Sequence, residues 1–220
     1  VSADGVAGLL SMLGGEAAGE LESARAICSL SEFTGSHAAL ATGLDSLVRL
    51  ADASSASRDF AITTLHRLAG GGDAFAQAAM ASSEAAITLL VDQLNPSSTS
   101  VSRAQAVSSL LCLCRNADAT SSIVSTGGVS FLVSAARAPE LQSKVRREAA
   151  LVVASLSTAS HKRAIVSAGG VDVLISSVDL PAYDDELTHA AAAALRQLVD
   201  CNTGFSRILA DGVPACIKLL

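Results

Sequence analysis

Tryptophan is absent from this 220-residue chain, and aromatic residues make up 3% of it. A core built on large rings is thereby excluded. Half of the residues are apolar, so the core is aliphatic. Ala, Leu, Val and Ile on helices let backbones approach closely, which suits stacked layers better than one large globular centre. Long apolar runs are missing as well. The longest, at residues 190–195 and 151–154, fall far short of the roughly 18 to 20 residues of a membrane span. Cations are sparse: 15 Lys and Arg stand against 21 Asp and Glu, a net charge of -6. Phosphate contacts need a Lys/Arg-rich face, so no nucleic-acid partner is expected.

Cysteine is scarce and odd in number: Cys28, Cys112, Cys114, Cys201 and Cys216. They sit mostly inside apolar helical patterns, where a free thiol behaves as a small hydrophobe. This points to a reducing, cytoplasmic compartment. The sequence opens without Met and closes on Cys216-Ile217-Lys218-Leu219-Leu220 in an apolar stretch. We therefore expect a piece of a longer protein, whose targeting signal or lipid anchor can lie outside it.

What the chain does contain is a Gly-apolar step that returns about every 42 residues: Gly5-Val6, Gly43-Leu44, a degenerate Ala85-Ala86, Gly128-Val129, Gly170-Val171 and Gly212-Val213. The intervals are 38, 42, 43, 42 and 42 residues, and an apolar pair follows each step at a similar offset, from Leu9-Leu10 through Leu132-Val133 to Cys216-Ile217. A period of this size is the mark of a helical solenoid. The segment after each step is apolar at helical spacing and predicts a middle helix. Polar breaks follow at residues 52–57, 95–102, 138–142 and 179–186, three of them containing proline, which ends a helix and sets a turn.

A second register lies beyond the breaks. Leucine stands at 30, 68, 113, 156 and 198, an aliphatic residue three places earlier, and a small residue seven places earlier (Ser23, Ala61, Ala106, Ala149, Ala191). That is the buried stripe of a third helix, with a small residue where helices approach closely. Before each glycine an aliphatic residue, Ala39, Ile123, Ile165 or Ile208, marks a short first helix. The step glycine is expected to cap that helix and to make the bend at positive φ. In the unit around Ala85, which lacks the glycine, the first helix is expected near residues 75–81.

Three helices in about 42 residues joined at a glycine resemble the armadillo repeat, and residues 202–220 are similar to its Asn…Ile…Gly-Val…Leu-Leu pattern. The resemblance implies an all-α fold, a right-handed α-solenoid of three-helix repeats. One domain over 1–220 is expected, with units at 1–32 (partial), 33–70, 71–116, 117–158, 159–201 and 202–220 (partial). Two-helix HEAT repeats are the nearest rival and do not require the glycine.

In armadillo proteins such as importin-α and β-catenin, third helices line a concave groove that holds a peptide through residues one and five places before the reference leucine. The matching positions here are Arg25 and Ser29, Thr63 and Arg67, Ser108 and Cys112, Leu151 and Ser155, Ala193 and Gln197. None is Asn or Trp, so the importin-like grip on a basic peptide is disfavoured. Only Arg25 and Arg67 offer cations for an acidic ligand, and each also reads as a solvated helix-face residue.

Catalytic and metal chemistry find no constellation. His37, His66, His161 and His189 fall at different places in their units. Cys112 and Cys114 are two apart and diverge on a helix, unlike a CxxC pair. Gly70-Gly71-Gly72 precedes no Lys-Ser/Thr, and so reads as a flexible inter-unit turn. Asp184-Asp185-Glu186 beside Tyr183 lacks the ligand spacing of a calcium loop. No enzyme, cofactor or metal is expected. The expected function is protein-protein interaction: a partner protein or peptide held along the third-helix groove. At roughly 8 to 10 Å per stacked helix, five units would hold about a dozen extended residues. The alternatives are a scaffold subunit of a larger assembly and, as in plant U-box ubiquitin ligases with armadillo arrays, a substrate-recruiting region.

Overall fold

Helical period and caps build fourteen α-helices among the described residues, with no strand between them. A computed structural model describes residues 3–13, 17–52, 57–157, 160–178 and 185–199. The step at Gly212, the pattern over 202–220, Ile208, Cys201, Cys216, Pro181 and Tyr183-Asp184 lie outside them. In chain order the helices are α1 (Ala3–Ser11), α2 (Ala17–Leu30), α3 (His37–Ala41, entered through a 3₁₀ turn at Thr34–Ser36), α4 (Leu44–Asp52) and α5 (Arg58–Gly70). They continue as α6 (Ala74–Ser82), α7 (Glu84–Asp92), α8 (Ser100–Leu113), α9 (Ala117–Ser125) and α10 (Gly128–Arg137). The last are α11 (Ser143–Leu156), α12 (Lys162–Ser167), α13 (Gly170–Val178) and α14 (Asp185–Leu198). The order repeats as short first, middle and long third helix, with α2, α5, α8, α11 and α14 in the third place. This is an α-solenoid of armadillo type.

Contacts divide the chain into residues 1–90 and 91–220. In the first unit α2 packs on α5, α3 on α6, and α4 against α5. In the second, α8 packs on α11 and α11 on α14, while α10 and α13 back them. The predicted third-helix stripe is the core of both. Ala61, Ala106, Ala149 and Ala191 are buried to 1% exposure or less, as are Leu65, Leu68, Leu110, Val153, Leu156 and Leu198 to within 1%. Leu30, at the same register in α2, is only half-buried. With methyl groups at the crossing points, neighbouring third helices approach closely, and the flanking leucines fill the remaining space.

Side chains fix where the helices start. Asp73 Oδ1 accepts the Ala76 amide at 2.8 Å, Thr99 Oγ1 that of Ser102 at 3.1 Å, and Asn116 Oδ1 those of Asp118 and Ala119 at 2.8 and 3.4 Å. Each satisfies amides that a helix N-terminus leaves without a partner. Thr99 therefore starts α8 inside the polar break expected to run to residue 102.

The step glycines do a different job from the one expected. The residues at positive φ are Gly127 (φ 76°) and Gly169 (φ 79°), each one place earlier. Gly128 and Gly170 already belong to the middle helices, and space is what they require. A Cβ on Gly128 would lie 2.9 Å from both the Ile123 carbonyl oxygen and Val91 Cγ2, and one on Gly170 would lie 2.6 Å from Ile165 Cγ2. The pair divides the work, the first glycine supplying the left-handed turn and the second the close approach. At Gly43 the left-handed residue is missing, and the glycine lies directly against the Leu10 side chain.

The unit without a glycine turns by other means. Ser83 takes an extended backbone (φ -91°, ψ 102°), and its hydroxyl accepts the Ala86 amide at 3.3 Å. The bend from α6 to α7 is 83°, against 87° from α9 to α10 across Gly127. Two further expectations change. The buried anchor of α3 is Leu40, fully inside, and not the half-buried Ala39. In the Gly70-Gly71-Gly72 run, Gly71 is pressed against the His37 ring and the Arg67 carbonyl, while Gly72 takes φ 79°, so the run is a fitted corner.

Gly128→Ala and Gly170→Ala should each cost about 1–3 kcal/mol by overpacking. Gly127→Ala should cost about 1 kcal/mol through its left-handed backbone, and Gly127→Asn less. Urea unfolding of these four variants and of Gly128→Asn checks the division, which predicts that Asn is tolerated at 127 and not at 128.

Candidate functional site

Third helices stacked in register carry their outward residues in rows. In the first unit, α2 and α5 place Arg25 and Ser29 in the open and Thr63 and Arg67 half-buried. In the second, α8, α11 and α14 leave Ser108, Ser155, Ala193 and Gln197 exposed, Cys112 half-buried, and Leu151 inside at 6% exposure. Ser29, Thr63 and Ser155 turn their hydroxyls onto the carbonyls of Arg25, Asp59 and Leu151, four residues back in the same helix. Such hydroxyls present a small, weakly polar surface.

The two arginines differ. Arg25 lies in the open, 63% exposed, and pairs within its own helix with Glu22 at 2.9 Å. Arg67 is a strut between repeats and not a solvated face residue. Its Nη1 donates to the Cys28 carbonyl at 2.6 Å and the Ser31 hydroxyl at 3.2 Å, and its Nη2 pairs with Glu32 at 3.1 Å. The guanidinium thus joins the Ser31 hydroxyl, which donates to the same Cys28 oxygen at 2.6 Å, on a carbonyl at the C-terminal end of α2, where the helix dipole favours a cation. Ser31 in turn offers its carbonyl to buried His37, whose Nε2 lies 2.8 Å away. Arg67, Ser31 and His37 form one connected joint between α2, α3 and α5.

Sequence reasoning passed over a second set of struts. Arg103, in the first turn of α8, is 3% exposed and its Nη1 meets Glu140 at 2.8 Å in the loop before α11. Arg137, ending α10, donates to the Gly169 carbonyl at 3.0 Å and Asp172 at 3.1 Å. Arg147 reaches from α11 to Glu186 on α14 at 2.7 Å. For Arg103 alone a signal was legible: arginine stands ten places before the reference leucine in three consecutive units, as Arg58, Arg103 and Arg146, a register that does not include Arg137 or Arg147.

The thiols are unsuited to nucleophilic work. Burial pushes Cys112 up, with Arg115 opposing and Glu148 adding to the rise. Cys114 is raised chiefly by burial too, and its Sγ lies 3.0 Å from the Leu111 carbonyl. Protonated at neutral pH, both pack as small apolar groups. Among the described residues no three His, Cys, Asp or Glu side chains gather closely enough to hold a metal ion, and no single helix is long and apolar enough to cross a membrane.

Removing Arg67 takes a charged donor from the Cys28 carbonyl, which keeps only the Ser31 hydroxyl, and leaves Glu32 without its partner, so Arg67→Ala should cost about 1.5–3 kcal/mol. Arg25→Ala should cost no more than about 0.5 kcal/mol; parallel thermal melts compare the two. The Arg103 guanidinium, hydrogen-bonded to Glu140, holds that carboxyl below the usual carboxylate range. With the folded value below the unfolded one, the stabilisation is complete above the ordinary carboxylate range and is lost as pH falls through the lowered value. Glu140→Gln should flatten that acid limb in urea titrations across pH, which would be unchanged if the pair contributed nothing.

No protein-family model and no curated protein matches the sequence. Solved structures do. A computationally designed armadillo repeat protein for modular peptide recognition superposes with a TM-score of 0.74 at 20% identity, over 96% of this chain and 90% of that one. A designed armadillo repeat protein in complex with the peptide (KR)4 gives 0.71 at 19% identity, with the same coverage. A chain from a structure of the interaction between cadherin and beta-catenin gives 0.71 at 24% identity, over 89% of this chain and 37% of that one. The fold of this chain is that of the armadillo repeat proteins.

Proposed function

We propose that the chain is a non-enzymatic protein-interaction module of the reducing cytoplasm, holding a segment of a partner protein on the outward rows of its third helices. The observation that carries this is the row in the second unit, where Ser108, Ser155, Ala193 and Gln197 lie exposed on α8, α11 and α14. Helix faces so small in side chain admit a helix or extended segment close to the backbone, and packing by shape supplies the affinity. Two similar structures support it in kind: one is a complex with a peptide, the other concerns an interaction between two proteins. The struts also support it. The arginines of the joints serve internal carbonyls and carboxylates, which leaves recognition to the small residues and to Arg25.

Filling the row is the direct test, since bulk added to exposed positions spares the core. Ser155→Arg with Ala193→Arg should reduce capture of the native partner at least about tenfold, a loss of about 1.4 kcal/mol. Quantitative mass spectrometry of affinity captures from the native source, with parent and variant as bait and melting temperatures matched, reads the result. Equal capture by both would place the partner elsewhere and end this reading.

A further inference from the structure

The net charge is not shared along the chain. Residues 1–90 hold ten acids, four arginines and no lysine, whereas residues 91–220 hold eleven of each sign. The whole -6 therefore belongs to the first unit. Three of its four arginines are also engaged: Arg25 with Glu22, Arg67 with Glu32 and the end of α2, and Arg49 with the Ser46 hydroxyl at 3.2 Å.

The same unit exposes aromatic surface in a chain that has almost none. Phe33, in the link between α2 and the 3₁₀ turn, is 65% exposed, and Phe75, in the first turn of α6, is 58% exposed. Both stand where first helices begin, and α3 packs on α6, so they occupy the first-helix edge of the unit, which adjoins the third-helix row through the Glu32–Arg67 pair. Each has a carboxylate close by in sequence. Glu32 precedes Phe33 and keeps one oxygen free of Arg67; Asp73 lies two before Phe75 and keeps one free of its cap. Neither phenyl ring serves the core, and water is a poor neighbour for both.

We infer that this edge docks a partner segment rich in arginine with apolar residues between. A guanidinium is the group that satisfies both parts of the edge: its head meets carboxylate and its stem and planar face lie on a phenyl ring. A second copy of this chain does not fit, because it would bring the same negative unit against itself, and an anionic lipid surface is repelled for the same reason. Phe33 and Phe75 are not among the row residues, and the Ser155 and Ala193 substitutions lie in the other unit, so either reading can fail without the other.

The probe is a fluorescein-labelled dodecapeptide of alternating Leu and Arg, followed by anisotropy against the full chain, with a Leu/Glu dodecapeptide as counterpart. The parent should bind the first and not the second. Phe33→Ser with Phe75→Ser should weaken binding at least about tenfold, while Val101→Ser, which removes an equally exposed apolar residue from the second unit, should leave it unchanged. Asp73→Asn, which keeps the cap and loses the charge, should weaken it by a smaller factor. Both phenylalanines are exposed, so the variants keep the parent's melting temperature. Four results overturn the proposal: no binding by the parent, equal binding by the double Phe variant, binding of the Leu/Glu peptide, or Phe-dependent binding to neutral phosphatidylcholine vesicles in place of the peptide.

Discussion

Everything in this molecule depends on how closely helix backbones approach. With almost no aromatic volume to fill a wide core, stability has to come from many short-range aliphatic contacts, each worth little and numerous together. That is why methyl groups at Ala61, Ala106, Ala149 and Ala191 sit at the centre of the third-helix layer, and why hydrogen alone fits at Gly128 and Gly170. A layer this thin leaves little room for buried charge. Among the described residues Arg103 and Glu148 are exceptions: the Arg103 guanidinium reaches a carboxylate at the rim, where Glu140 remains 58% exposed, and Glu148 meets the exposed Lys144 at 3.7 Å.

Close approach also explains where polar chemistry gathers. Helix ends bring free carbonyls to the joints between repeats, and long flexible cations are the side chains able to reach them from a neighbouring layer. Arg67 on the Cys28 carbonyl and Arg137 on the Gly169 carbonyl are two solutions of one problem. Arginines that look like ligand-binding residues in a linear sequence are thereby part of the architecture.

The fold was legible because its periodicity is carried by buried positions, and buried positions have few alternatives. The reference leucines and their partners three and seven places back lie where the spacing put them, apart from half-buried Leu30, and the middle-helix stripe does so apart from half-buried Ala136 and Ile175. The finer geometry was not legible. A glycine needed for space and one needed for positive φ look alike in sequence, so the two roles at Gly127-Gly128 merge into one. Ala39 and Leu40 are neighbours, and the loop shortened before Gly43 moves the inward position from one to the other. Arg67 kept its place on the predicted face, but its partners lie more than thirty residues away. The rows of the candidate site were predicted by register. What each side chain does there depends on contacts that register does not encode.

One corner of the molecule bears on why structures match this chain while sequence models do not. Between α6 and α7, an extended serine makes nearly the same bend that a left-handed glycine makes between α9 and α10. The turn is thus chemically degenerate: an extended serine and a left-handed glycine give bends of 83° and 87°. What the two corners share is the spacing of interior volume, which a comparison of coordinates detects and a comparison of letters loses. In this chain, the fold is written more plainly in shape than in residue identity.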